Sequence, residues 1–133
     1  MFKDEYVFSQ LVKFLDYEKF KYIVKKYNGN KYIKIYTCWN QLLTMMFGQL
    51  SNRESLRNLV VAMEAHAGKL YHLGIGKSVT RSNLSKANEQ RDYRIFEEYT
   101  TFTIQRLCLR YHTNLECTTY STADITISPT LIR

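Results

Sequence analysis

The sequence predicts a mainly α fold, one compact multi-helix domain, on three observations. Apolar residues recur at intervals of three and four over most of the first hundred positions, the period of helices with one buried face. Asparagine, glycine, serine and threonine punctuate these stretches where helices must stop or start. At 133 residues and 45% apolar, the chain supplies one hydrophobic core and leaves no room for a second full domain.

The first helix is short, with Val7, Phe8, Leu11, Val12, Phe14 and Leu15 as its apolar side. Across Tyr17 to Tyr27, Phe20, Ile23, Val24 and Tyr27 form a second stripe, with Lys19, Lys21, Lys25 and Lys26 mostly off it. Asn28-Gly29-Asn30 ends that helix, because glycine and asparagine accept the positive φ of a helix stop. Lys31 to Tyr36 reads as an extended connector rather than a strand, and Thr37 offers an oxygen to cap the third helix. That third helix carries Trp39, Leu42, Leu43, Met46, Phe47 and Leu50 on one broad face and should be the centre of the core, weakened slightly by Gly48.

Ser51-Asn52-Arg53-Glu54 fits a capping box and predicts a helix starting near Asn52, with Leu56, Leu59, Val60 and Met63 inward and Gly68 as its stop. Leu70 to Leu73 should fold a short turn back on the core, and Gly74 to Ser78 a loop. From Val79 to Asn88 only Val79, Leu84 and Ala87 are apolar, which gives a helix with one thin stripe. From Asp92 a last helix should bury Tyr93, Phe96, Tyr99 and Phe102 and expose Glu97 and Glu98. Beyond Thr103 threonines crowd in and the only proline, Pro129, appears. The domain is therefore drawn at residues 1–102, with 103–133 as an irregular, poorly ordered tail.

Composition narrows the function. A formal charge of +7 and a pI near 9.3 favour a polyanionic partner. Cys38, Cys108 and Cys117 form no CxxC pair, so neither a zinc site nor a disulfide framework is expected, and a reducing cytoplasm suits them. Met1-Phe2-Lys3-Asp4-Glu5 has acids where a signal peptide would be apolar. The uncharged stretch Tyr36 to Asn52 falls short of the ~20 apolar residues of a membrane span. His66, His72 and His112 lack metal-ligand spacing, and no phosphate loop, nucleophile triad or paired acids is present, so no cofactor is expected.

The sharpest signal runs from Lys77 to Arg91. Arginine, lysine, asparagine and glutamine read base edges in the major groove, while serine, threonine and helix amino-terminal amides hold phosphates. Arg81, Asn83, Lys86, Asn88, Gln90 and Arg91 are the candidate base readers, and Lys77, Thr80 and Ser82 the candidate phosphate contacts. A thin stripe under a wide polar face suits the reading helix of a helix-turn-helix-like unit, supported by the helix from Asn52 to Ala67, although the connection is longer than the usual turn. The same pattern also fits a solvated helix with no ligand. Lysines 19, 21, 25, 26, 31 and 34, interleaved with Tyr17, Tyr22, Tyr27, Tyr32 and Tyr36, form a second candidate patch, for which a soluble face over packed tyrosines is the plainer reading.

Two ordered runs carry a family resemblance. Thr37 to Arg57, including Trp39-Asn40-Gln41-Leu42-Leu43 and Gly48-Gln49-Leu50-Ser51-Asn52-Arg53-Glu54-Ser55-Leu56, is one. Arg81-Ser82-Asn83-Leu84-Ser85-Lys86-Ala87-Asn88-Glu89-Gln90-Arg91-Asp92-Tyr93-Arg94-Ile95-Phe96 is the other. Together they resemble the amino-terminal helical domain of IS-four-type DDE transposases of bacterial insertion sequences, over about Tyr6 to Phe102. The resemblance implies a front domain that engages double-stranded DNA at transposon terminal inverted repeats. In the family it precedes a ribonuclease-H-like domain whose Asp-Asp-Glu acids hold two divalent metals.

No Phe-Asp-Ser-like catalytic motif comes after it; Asp124 in Thr122-Ala123-Asp124-Ile125 does not match. The expectation is a truncated, non-enzymatic fragment, cut by a frameshift near Thr103, since nucleotides encoding Tyr120-Ser121-Thr122-Ala123 can spell Phe-Asp-Ser in another frame. The alternatives are an inhibitory module that pairs with full-length transposase through the helix from Trp39 to Leu50, or a remnant without function.

Overall fold

The computed structural model describes residues 7–72, 74–75 and 79–111, the side chain of Tyr111 excepted. Among the described residues all regular structure is helical, with no strand. The elements are α1 (Val7–Phe14), α2 (Tyr17–Lys26), α3 (Cys38–Leu50), α4 (Leu56–Ala65), α5 (Ala67–His72), α6 (Arg81–Gln90) and α7 (Arg94–Tyr111). The mainly α prediction holds, and residues 31–36 form a connector of turns and bends.

α3 lies between two apolar clusters. On one side Leu43 packs with Leu56, Leu59, Val60 and Met63 of α4, Leu70 of α5, and Leu84 and Ala87 of α6, under Phe8, Val12 and Leu15. On the other, Cys38 packs with Phe20, Ile23 and Val24 of α2 and Ile95 and Tyr99 of α7. Trp39 touches both clusters, and its ring meets Tyr17 and Phe20 edge-on at centroid distances of 4.9 and 5.3 Å. The four inward residues expected of α4 are all buried. α3 differs from expectation: because it has neighbours on two sides, Gln41 and Thr44 are buried, while Leu50 at its end is 58% exposed.

Helix starts are set by side-chain chemistry. Asp16, Thr37, Ser55 and Thr80 cap α2, α3, α4 and α6, each accepting from the backbone N–H three residues on. The capping box at Ser51 is therefore corrected. Ser51 belongs to the end of α3, its hydroxyl donating to the Phe47 carbonyl at 2.6 Å, and the serine that starts α4 is Ser55.

Helix ends share one device. Asn28 and Asn52 take φ of 53° and 55°, and Gly74 takes 80°. The N–H groups of Gly29, Arg53 and Ile75 reach back to the carbonyls of Val24, Gly48 and Leu70, the six-to-one bond of a Schellman stop. Gly29 serves space rather than positive φ: a Cβ there would stand 2.5 Å from Ile95 Cδ1 and 2.9 Å from Cys38 Sγ, where α2, α3 and α7 meet. Gly68 does not stop α4; His66 is its C-cap, and Gly68 lies inside α5.

α7 runs unbroken through Thr103 to Tyr111, so the helix outlasts the boundary drawn at residue 102. Thr100, Thr101 and Thr103 each donate their hydroxyls to the carbonyl four residues back, so these polar groups are satisfied within the helix itself. Ile95 takes the buried place expected of Tyr93, which is 72% exposed. Glu98 is tied by Lys26 at 2.9 Å and by the Tyr27 hydroxyl at 2.8 Å. The rest of the expected tail, residues 112–133, lies outside the described residues.

Candidate nucleic-acid interface

The helix read as a recognition element is α6, and it packs on α4, with α5 and the segment to Thr80 between them in the chain. Its sequence, RSNLSKANEQ, offers the core only Leu84 and Ala87. A helix turns about 100° per residue. Ser82, Lys86 and Glu89 therefore lie opposite that stripe, with Arg81 and Ser85 on one flank and Asn83 and Gln90 on the other; all seven are exposed.

The nine candidate residues separate into three groups. Arg81, Ser82, Asn83, Lys86 and Gln90 share the outward surface of α6, and Thr80 is exposed at its start with its hydroxyl capping Asn83 N–H at 3.3 Å. Lys77 lies outside the described residues. Asn88 and Arg91 turn inward. Asn88 Oδ1 accepts from Gln41 Nε2 at 2.7 Å, and its Nδ2 faces Met45 Sδ at 3.9 Å. Arg91 Nη1 donates to the Thr37 carbonyl at 3.1 Å and to Gln41 Oε1 at 2.7 Å, Nη2 donates to the Tyr36 carbonyl, and the guanidinium lies 5.2 Å from the Tyr36 ring centroid. Both residues belong to the joint between α6 and α3 and leave the candidate set.

That joint is a half-buried polar cluster with unusual electrostatics. Burial pulls the Arg91 guanidinium below its ordinary range. Burial also pushes the Tyr36 phenol up to about 12 and raises the Cys38 thiol, with the nearby Arg91 charge opposing both. Arg91 Nε has no hydrogen-bond partner among the described residues. The contacts of Arg91 are with carbonyl oxygens, so it serves here as a donor to backbone and amide rather than as half of a salt bridge.

The outward face also contains Glu89, which is absent from the residues expected from the sequence. An acid on that face repels phosphate, but it can accept from the amino group of cytosine. Its signal was plain: it lies three residues past Lys86, on the same side of the helix.

In the second patch the lysines diverge. Lys26 pairs with Glu98, and Lys19 lies over the rings of Tyr22 and Phe102 at 5.4 and 5.1 Å. Lys21, Lys25, Lys31 and Lys34 are exposed, as are Tyr22 and Tyr32. His66 and His72 are exposed, and among the described residues no group of three or more His, Cys, Asp or Glu could hold a metal ion. No described helix is long and apolar enough to cross a membrane.

No curated protein and no solved structure matches the chain. The matching family is defined by a domain of unknown function, DUF4372, whose span here, residues 3–76, covers α1 to α5 and stops short of α6. That span is more than half of the chain, and the protein belongs to the DUF4372 family.

Proposed function

We propose that the chain binds double-stranded DNA at transposon ends, as the amino-terminal part of a transposase and without cutting it. The observation that carries this reading is the outward face of α6. A helix anchored by Leu84 and Ala87 and by the inward Asn88 and Arg91 presents Arg81, Ser82, Asn83, Lys86 and Gln90 to solvent, and α4 supports it from behind in the manner of a bihelical reader. DUF4372 domains are commonly found at the amino termini of IS-four-family transposases, which agrees with the resemblance of the α3 and α6 segments. The net charge of +7 favours approach to a polyanion. Arg81, Asn83, Lys86 and Gln90 are assigned to base edges, Thr80 and Ser82 to phosphates. Strand cleavage belongs to the Asp-Asp-Glu domain of the resembled family, and the reading assigns none to this chain.

The alternative of pairing with full-length transposase through α3 has no observation in its favour. Leu43 is buried, and Trp39, Leu42 and Phe47 pack against the two clusters, leaving Leu50 as the exposed apolar residue of that helix.

Fluorescence anisotropy on the element's inverted repeats and on a scrambled duplex tests the reading. Binding should weaken steeply with salt, and Arg81→Ala should lose about 1–3 kcal/mol on the inverted repeats alone. Equal loss on both duplexes would make Arg81 a phosphate contact. Absence of binding by the unmodified chain would remove the function.

A further inference from the structure

The outward side chains of α2 and of the turn after it pack neither on α6 nor in either apolar cluster. Between Tyr17 and Ile35 the chain carries six lysines and one acid, Glu18. Lys26 is neutralised by Glu98. Lys21, Lys25 and Lys34 are exposed and make no ion pair among the described residues, and Lys31 lies 5.3 Å from the ring centroid of Tyr32. Lys21 and Lys25 stand one helical turn apart, on the side of α2 away from the buried Ile23, with Tyr22 beside them and 61% exposed.

Tyr32 adds an independent observation. Its φ is 63°, a conformation that bulky residues rarely adopt, and its side chain is 90% exposed. The turn is held in that shape: Lys31 N–H donates to the Asn28 carbonyl, Ile33 N–H to the Asn30 carbonyl, and Cys38 N–H to Asn30 Oδ1 at 2.9 Å. The core gains nothing from Tyr32, since its ring stands in solvent beside Lys31. Strained backbone that serves no packing is found preferentially at surfaces that meet a ligand.

We infer that this face is a second, sequence-independent contact with duplex DNA, in which Lys21, Lys25 and Lys34 neutralise backbone phosphates and the Tyr22 and Tyr32 hydroxyls donate to phosphate oxygens. The inference rests on duplex DNA being the ligand and extends that reading to a different surface. All six cations are lysine, a point charge suited to phosphate rather than to the planar, two-pronged reading of a base that arginine performs. Phenol O–H groups are ordinary donors to phosphate.

The test uses the full chain with the triple variant K21E/K25E/K34E, and K21Q/K25Q/K34Q as a milder companion, on the inverted-repeat and scrambled duplexes across a salt series. Loss of three phosphate contacts should make the log–log salt slope of the glutamine variant shallower by about 2.7, at about 0.9 per phosphate. Affinity should fall by the same factor on both duplexes, and Tyr32→Phe should weaken binding as much as Tyr32→Ala. Unchanged slope in a chain that still discriminates its inverted repeats through Arg81 would overturn the second contact and leave α6 standing. A loss confined to the inverted repeats would also overturn it. If single-stranded DNA binds more tightly, and Tyr32→Ala abolishes that while Tyr32→Phe does not, the face is a base-stacking platform and the duplex assignment is wrong. A wild-type chain that binds no duplex sinks both readings.

Discussion

Arg91 satisfies two backbone carbonyls, Tyr36 O and Thr37 O, in the connector that leads into α3, and a third acceptor on the side chain of Gln41. Removing the guanidinium would strand these acceptors in a half-buried joint, a loss of roughly 1–3 kcal/mol. Arg91→Ala should lower the urea midpoint accordingly. Arg91→Lys should recover only part, because one ammonium cannot span the three acceptors that the planar fork reaches. Once corrected for the folded fraction, neither change should alter the ratio of affinities for inverted-repeat and scrambled DNA; a shift in that ratio would return Arg91 to the recognition surface. The inward turn of Arg91 and Asn88 could have been found in the sequence. Leu84, Ala87, Asn88 and Arg91 are spaced i, i+3, i+4, i+7, one continuous helix face, and residue type alone hid that spacing. By the same geometry the exposure of Arg81, Ser82, Asn83, Lys86 and Gln90 was legible, because two apolar residues in a helix of 10 can cover only a narrow stripe.

At the scale of elements, the difficulty lay in the boundaries. Periodicity identified the helices, but Ser51-Asn52-Arg53-Glu54 matched a helix start while acting as a helix stop. The deciding feature is Asn52 at φ 55°, which lets Arg53 N–H close on the Gly48 carbonyl and leaves Ser51 facing backward to Phe47. Both Asn28 and Asn52 do what glycine does at Gly74, and an asparagine next to serine or glycine carries that meaning less visibly than glycine does. The assignment of caps has a direct consequence. Ser55→Ala should cost about 1 kcal/mol, since it removes the acceptor for Asn58 N–H, and Glu54→Ala should fall within about 0.5 kcal/mol of the parent. Thermal unfolding followed by circular dichroism separates these values; a comparable loss from Glu54→Ala would restore the capping box and move the start of α4 to Asn52.

For the whole molecule, α3 decides whether two clusters behave as one body. Its apolar residues mark this helix as the core but suggest a single buried face, because Cys38, Gln41, Thr44 and Gly48 do not register as a second one. A helix packed on two sides needs small or hydrogen-bonded residues there: Gly48 lets Leu59 approach to 3.2 Å from where a Cβ would lie, and Thr44 donates its hydroxyl to Asn40 O. α2 packs directly on α7 and α4 on α6, and α3 ties the two groups together, since Cys38 and Leu43 come from the same helix and Trp39 packs against both. Unfolding should therefore be a single transition. Trp39 is the only tryptophan, so its fluorescence reports the α3 junction, while far-ultraviolet circular dichroism reports all the helices. In a urea titration the two curves should coincide in midpoint and slope. A circular-dichroism curve that falls in two steps, with fluorescence tracking only one, would mean that the clusters are separable and that α6 can be displaced without disturbing the α2 face.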